Sequence, residues 1–208
     1  TGAGVKIGII VGFNGTYWNN AEAAGEVPVP SGTFCKVFGS SCNIWASSSK
    51  HGVGVAEIVH EMSPDAQLYL AQGYTSSDLQ AIVDYFDSQG VNIISRSQTA
   101  EYDGPGDGTG PIATVIDNAV ADGMIWLNAA GNAAGMAGDD GGYWRSSWTD
   151  GDGDQKLNFS GEIELMPFWC GFVNGLRWND WGSNKTDYDM HIFDDTSGLF
   201  LKTSSLND

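Results

Sequence analysis

The chain has 208 residues, of which 41% are hydrophobic, so it is long enough for one sizeable core or two small ones. It carries 26 Asp and Glu residues against 9 Lys and Arg residues, a formal net charge of -17. This charge repels phosphate backbones and anionic lipid, and no apolar run reaches the roughly 20 residues that a membrane helix needs. We therefore expect neither nucleic-acid binding nor membrane insertion.

The first part of the chain alternates strand and helix patterns, which is typical of a parallel sheet flanked by helices. Strands are predicted at residues 5–11, 67–71, 91–95 and 124–127. One helix is predicted at residues 52–62, a second between a capping box at Ser77 and Gln80 and a terminal Gly90, and a third over Ile112 to Ala119 before Gly123. The predicted fold class is α/β.

After Asn132 the helical periodicity disappears. Residues 135–154 are dominated by Gly, Asp, Ser and Trp, and short strands are predicted at residues 157–159, 172–178, 187–193 and 199–203. The predicted organisation is an α/β region at 1–134, a Gly/Asp-rich loop at 135–154 and a β-sandwich-like segment at 155–208. This segment is either a separate domain or an insertion in the first one.

The chain has three cysteines, Cys35, Cys42 and Cys170. Cys35 and Cys42 are close enough in sequence to close a small loop, and the alternative is three unpaired thiols. A composition built on Gly, Ser, Asn and Asp is commoner outside the cell, so we expect an extracellular, secreted protein whose signal peptide does not lie in this segment.

Two residues have positions that suit catalysis. His51 begins the predicted helix at 52–62 with two glycines close behind it, a placement that suits a general base or a simple helix cap. Asn132 follows the predicted strand at 124–127 and three small residues. At the carboxyl end of a parallel strand its amide could donate to a developing oxyanion, or it could be an ordinary turn asparagine.

The order of these segments resembles the subtilisin-like serine proteases, the subtilases, over nearly the whole span 4–132. The matching segments are Lys6-Ile7-Gly8-Ile9-Ile10, His51-Gly52, Pro64-Asp65-Ala66-Gln67-Leu68-Tyr69, Val91-Asn92-Ile93-Ile94-Ser95-Arg96-Ser97 and Ala129-Ala130-Gly131-Asn132. The resemblance implies a doubly wound parallel sheet and peptide-bond hydrolysis through a Ser-His-Asp triad. It makes His51 the base and Asn132 the oxyanion donor. The residues that it places along the substrate cleft are Ile94, Ser95, Arg96 and Ser97.

The sequence departs from the subtilase pattern at three points. The family's catalytic aspartate is either replaced by Val11 or deleted, Val53 stands in the threonine position of the His-Gly-Thr block, and no Gly-Thr-Ser nucleophile block follows Asn132. Loss of the aspartate alone costs about 10⁴ in kcat in the trypsin-type triad. We therefore expect a truncated or degenerate protease that is inactive by itself, and whose uncovered sheet promotes self-association.

Acidic residues in the tail favour a second class of function. Asp150, Asp152 and Asp154 alternate with glycines, as the oxygen ligands of a hard cation such as calcium do, although a solvated acidic loop has the same pattern. The alternative hypothesis is therefore a non-catalytic peptide- or calcium-binding module on a protease scaffold. A third hypothesis is a carbohydrate-binding surface in the Trp-rich tail, which requires exposed coplanar indoles.

Overall fold

The computed structural model describes residues 1–99, 107–131, 147–161, 164, 178, 186, 188–194, 196–198 and 200–204. The chain divides into two compact units, Thr1–Gly131 and Asn132–Asp208. Among the helices of the described residues, none combines the length and the apolar character that crossing a membrane requires.

The first unit is built around one sheet. Its strands are β1 (Lys6–Ile10), β2 (Gly32–Val37), β3 (Ser40–Ser41), β4 (Gln67–Gln72), β5 (Ile93–Arg96) and β6 (Ile125–Asn128), and its helices are α1 (Gly15–Ala24), α2 (His51–Met62), α3 (Ser76–Gln89) and α4 (Pro111–Ala121). The strand order is β3-β2-β4-β1-β5-β6, parallel except for the antiparallel edge strand β3. The α/β fold class is confirmed, whereas α1, β2 and β3 were not predicted.

Successive side chains along the strands point to opposite faces of the sheet and pack into two separate cores. Ile9 and Leu70 face the core that contains residues of α1 and α2, while Ile10 and Ile94 face the core that contains residues of α3 and α4. Helices therefore lie on both faces of the sheet. Near-continuous apolar strands such as β1 and β4 are what a parallel sheet covered on both sides requires.

The crossover from β2 to β4 through α2 has the opposite handedness to the other three crossovers between parallel strands. Helices α3 and α4 lead toward the β6 edge on one face, and α1 leads back from β1 to β2 on the other face, so these three crossovers share one hand. Helix α2 leads toward β4 on the same face as α1. Because crossovers between parallel strands are right-handed in about 98% of cases, α2 forms the rare left-handed one.

The face of β6 on the α2 side of the sheet is open to solvent. Ile125 and Leu127 are each 58% exposed, and Ile93 beside them on β5 is only partly buried. On the other face Trp126 packs against the core with α4. The expectation of self-association stays a prediction.

The β2–β3 hairpin is held at both ends. A disulfide joins Cys35 to Cys42 with a Cα–Cα distance of 5.1 Å, so the predicted loop closure is present. At the tip, Phe38 and Gly39 both have positive φ angles, and their N–H groups each donate to Asp78 at 2.9 Å. Asp78 is fully buried and also closes a capping box with Thr75 at the start of α3. The predicted capping pair Ser77 and Gln80 was therefore wrong by two residues.

The described residues of the second unit include an antiparallel pair of strands, β7 (Met190–Phe193) and β8 (Phe200–Ser204). Residues 157–159 do not form the predicted strand. Instead Asn158 lies buried, donates its N–H to the Thr149 carbonyl and accepts a hydrogen bond from the Gly151 N–H. Most of the predicted strand at 172–178 lies outside the described residues. The β-sandwich-like arrangement stays a prediction.

Candidate functional site

The carboxyl ends of the parallel strands meet at one edge of the sheet. The N–H of Val11 donates to the Ala71 carbonyl at 3.0 Å, the N–H of Ser97 donates to the Ile10 carbonyl at 3.2 Å, and the N–H of Ala129 donates to the Arg96 carbonyl at 3.0 Å. The exits of β1, β4, β5 and β6 are thus joined beyond the strands themselves. This is the edge at which open α/β sheets bind their ligands.

His51 is exposed and is the first residue of α2, directly beside the exit of β1. Gly52 makes this approach sterically feasible, since a Cβ on it would lie 2.4 Å from the Gly12 carbonyl oxygen. The same Cβ would lie 2.9 Å from Cγ1 of Val11 and 3.1 Å from Cδ1 of Phe13. The start of α2 therefore rests on the segment that follows β1, and any side chain at position 52 would push it away.

Val11 directly follows β1 in sequence, and its side chain lies against the start of α2. Its side chain is only 5% exposed and belongs to the same apolar core as Val53 and Phe13. Within the described part of the chain, no hydrogen bond or ion pair joins the His51 side chain to a carboxylate. A group that would hold the imidazole in one tautomer is thus missing from these residues.

The four residues predicted along the cleft do not all present their side chains to it. Ile94 is fully buried in the core with α3 and α4, and Arg96 is 3% exposed. Ser95 and Ser97 are half-buried. Of these four side chains, only those of Ser95 and Ser97 are therefore partly accessible. The predicted oxyanion donor Asn132 lies outside the described residues.

Asn128, at the end of β6, has a role that sequence reasoning missed. Its Nδ2 donates to the carbonyls of Gln98 and Ala129 at 3.2 and 2.8 Å, and its Oδ1 accepts from Arg96 Nη1 and Trp126 Nε1 at 3.2 and 3.3 Å. The amide therefore fastens the ends of β5 and β6 together. The available signal is an asparagine directly after the predicted strand at 124–127.

Three carboxylates converge in the second unit. One oxygen each of Asp150, Asp152 and Asp154 lie within 4.8 Å of one another. Asp150 also accepts hydrogen bonds from the N–H groups of Gly153, Asp154 and Gln155, at 2.7 to 3.2 Å, which fix its orientation. Oxygen ligands at alternate positions fit a hard cation such as calcium.

Lys156 already neutralises part of this loop. Its ammonium group contacts Asp154 and lies 2.8 Å from Glu164. The hydrogen bond to Asp154, followed by that to Glu164, raises the pKa of Lys156. The bond from Lys156 is also the main reason that the pKa of Asp154 is lowered. A cation at this loop would share Asp154 with the lysine.

The described tryptophans of the second unit do not form a pair of coplanar indoles. Trp148 is 45% exposed and stacks on Tyr188 with ring centroids 4.6 Å apart. Trp178 contacts the same tyrosine edge-on at 5.5 Å. Trp126 lies in the other unit and packs against its core. These contacts are those of packing around a tyrosine, so they give the carbohydrate hypothesis no support.

No protein-family model matches this chain, and no curated protein sequence matches it either.

Proposed function

We propose that the first unit is a subtilisin-like serine endopeptidase scaffold in which His51 is the general base, here in a truncated or degenerate form that does not hydrolyse peptides by itself. The supporting elements are the α/β sheet, the exposed imidazole at its carboxyl edge and the glycine contact that holds α2 against the exit of β1. Its substrate would be a peptide or protein, and its location extracellular, to which the Cys35–Cys42 disulfide is suited.

The observation that carries this proposal is the direction of the side chain at position 11. Cγ1 of Val11 lies 2.9 Å from where a Cβ of Gly52 would be, next to the first residue of α2. In the resemblance, position 11 belongs to the aspartate that orients the base. A carboxylate placed there would face the N-terminal end of α2, whose helix dipole stabilises a negative charge. The closeness of position 11 to the start of α2 thus supports the family proposal, although valine cannot perform the aspartate's role.

Replacing Val11 by aspartate tests the proposal. We expect Val11→Asp to produce a strongly downfield imidazole N–H resonance in the proton NMR spectrum, because the new carboxylate would accept a hydrogen bond from His51. In the protein made from the whole reading frame, labelling of a serine by a fluorophosphonate probe should accelerate by up to about 10⁴.

The matched control is Val11→Asn, which has nearly the same shape without the charge. It should give neither the downfield resonance nor the acceleration. If Val11→Asp folds and its spectrum shows no new imidazole resonance, position 11 does not face His51 and the assignment of the base is wrong. Loss of labelling in a His51→Ala variant is the corresponding check on the base itself.

The second unit supports a second candidate function, the binding of calcium by Asp150, Asp152 and Asp154. The convergence of their oxygens within 4.8 Å is the observation that favours it. Trp148 lies two residues before this loop and is 45% exposed, so it can transfer excitation energy to a lanthanide that replaces calcium. Terbium is therefore a direct probe of the loop.

We expect terbium emission, excited through tryptophan, to rise with a saturable dependence on terbium concentration and to fall when excess calcium is added. Asp152→Asn should weaken the affinity by about tenfold or more, which corresponds to about 1.4 kcal/mol. Asp122→Asn, which removes an exposed carboxylate beyond α4, is the control and should change nothing. Emission that does not saturate, or that responds equally to both substitutions, would rule out a specific site.

A further inference from the structure

A run of three serines, Ser47 to Ser49, precedes His51. Ser47 is attached to the segment after β1, because its N–H donates to the Phe13 carbonyl at 3.0 Å and its carbonyl accepts from Nδ2 of Asn14 at 2.7 Å. The backbone of Gly12 is also close, since a Cβ there would lie 3.4 Å from Oγ of Ser47. Ser47 therefore has a fixed position relative to the exit of β1.

The hydroxyl groups of Ser47 and Ser49 connect this segment to His51. Oγ of Ser47 accepts a hydrogen bond from the Ser49 N–H at 3.1 Å, and Oγ of Ser49 accepts one from the His51 N–H at 3.1 Å. Lys50, at the N-cap position of α2, has helical backbone angles and no capping hydrogen bond from its side chain. Ser49 thus supplies the side-chain acceptor that a helix start normally takes from its N-cap residue.

We propose that Ser47 and Ser49 are positioning residues that hold His51 over the end of β1. This inference rests on the proposed role of His51 as general base. A base must be placed to within about 1 Å, and misplacement by that distance costs about 100-fold in rate. The first turn of a helix frays readily when its N–H groups lose their acceptors, and His51 is in that first turn. The two hydroxyls connect the imidazole-bearing residue to the strand whose exit forms the site.

The chain offers a closely matched set of variants. Ser49→Ala removes the acceptor, Ser49→Thr retains a hydroxyl at the same position, and Ser48→Ala removes an exposed neighbouring hydroxyl that forms neither bond. Two measurements are made on each variant. One is the hydrogen exchange rate of the His51 amide in the 208-residue chain, and the other is fluorophosphonate labelling of the protein made from the whole reading frame.

We expect Ser49→Ala to accelerate exchange of the His51 amide about tenfold and to lower the maximal labelling rate about tenfold, without changing the probe concentration at half saturation. Ser49→Thr should restore both values, and Ser48→Ala should change neither. The inference is overturned if Ser49→Ala leaves exchange at His51 unchanged, or if Ser48→Ala has the same effects. A Val11→Asp variant that folds without the downfield imidazole resonance would overturn the proposed role of His51 instead, while the amide exchange still decides whether the serines hold His51.

Discussion

Replacing Asp78 by asparagine is expected to lower the free energy of unfolding by about 3 kcal/mol, which urea denaturation would measure. The carboxylate is fully buried and accepts hydrogen bonds from the N–H groups of Phe38, Gly39 and Thr75 at 2.9 to 3.1 Å. The side chain of an asparagine would direct its own NH₂ group at one or more of these N–H groups, and two donors cannot form a hydrogen bond with each other. Hydrogen bonds to a charged acceptor contribute about 1.5 to 3 kcal/mol each, so losing even two of them is costly.

The buried carboxylate of Asp78 should also make the stability of the protein depend on pH in the acid range. Burial raises the pKa of Asp78, but the hydrogen bonds from Gly39, Thr75 and Phe38 outweigh burial and lower that pKa to about 2. Because the folded pKa lies below the unfolded value of about 3.9, the contribution is present above pH 4 and is lost as the pH falls through 2. Between pH 4 and pH 2 we expect the free energy of unfolding of the wild type to fall by about 2 kcal/mol more than that of Asp78→Asn.

Asp87→Asn is the control for both measurements, because Asp87 is an exposed carboxylate on the same helix. It should change the free energy of unfolding by no more than about 0.5 kcal/mol at neutral pH. If Asp78→Asn and the wild type unfolded with the same dependence on pH, the hairpin tip would not depend on this charge.

Replacing Gly52 by alanine is the second change with a large expected effect. A Cβ at position 52 would lie 2.4 Å from the backbone oxygen of Gly12, and a backbone atom cannot move aside as a flexible side chain can. Helix α2 must therefore shift, which disrupts the packing of Val53 and Ala56. We expect a loss of about 3 kcal/mol in the free energy of unfolding, together with displacement of His51 from the exit of β1.

Gly54→Ala is the matched control, on the same helix and two residues away. A Cβ there would meet nothing within 4 Å, and alanine is favoured over glycine inside a helix by about 0.5 to 1 kcal/mol. We therefore expect Gly54→Ala to raise thermal stability while Gly52→Ala lowers it. Equal effects of the two substitutions would show that helix propensity, and not the contact with Gly12, determines the result.

The sequence predicted the elements that have a strong apolar pattern. The predicted strands at residues 5–11 and 67–71 correspond to β1 and β4, and the helix at 52–62 begins one residue earlier than expected. Helix α1 was missed because only Trp18 and Ala21 of its ten residues are buried, which leaves almost no periodic signal. The hairpin of β2 and β3 was missed because neither strand alternates clearly between buried and exposed residues.

The candidate site was predictable only in part, for physical reasons. His51 was placed at a helix start by the apolar periodicity of the residues that follow it. The contact that requires Gly52 joins two segments about 40 residues apart and leaves no local pattern. The buried Asp78 and Arg96 could not be anticipated, because charged residues are normally exposed and their burial depends on partners supplied by the fold. The hand of the α2 crossover runs against the general rule, so sequence reasoning would have assigned the opposite one.

The strand order also constrains how the chain assembles during synthesis. Strand β4 lies between β1 and β2, although it is made after both of them. Neither β1 nor β2 has a parallel neighbour in this sheet until residues 67–72 have been made, and β1 gains its second neighbour only with residues 93–96. The sheet therefore forms by insertion of β4 between β2 and β1, and not by addition of each new strand at an edge. A nascent chain must therefore keep its first apolar strand without a parallel partner while residues 11–66 are made, and unpaired strand edges are prone to aggregation.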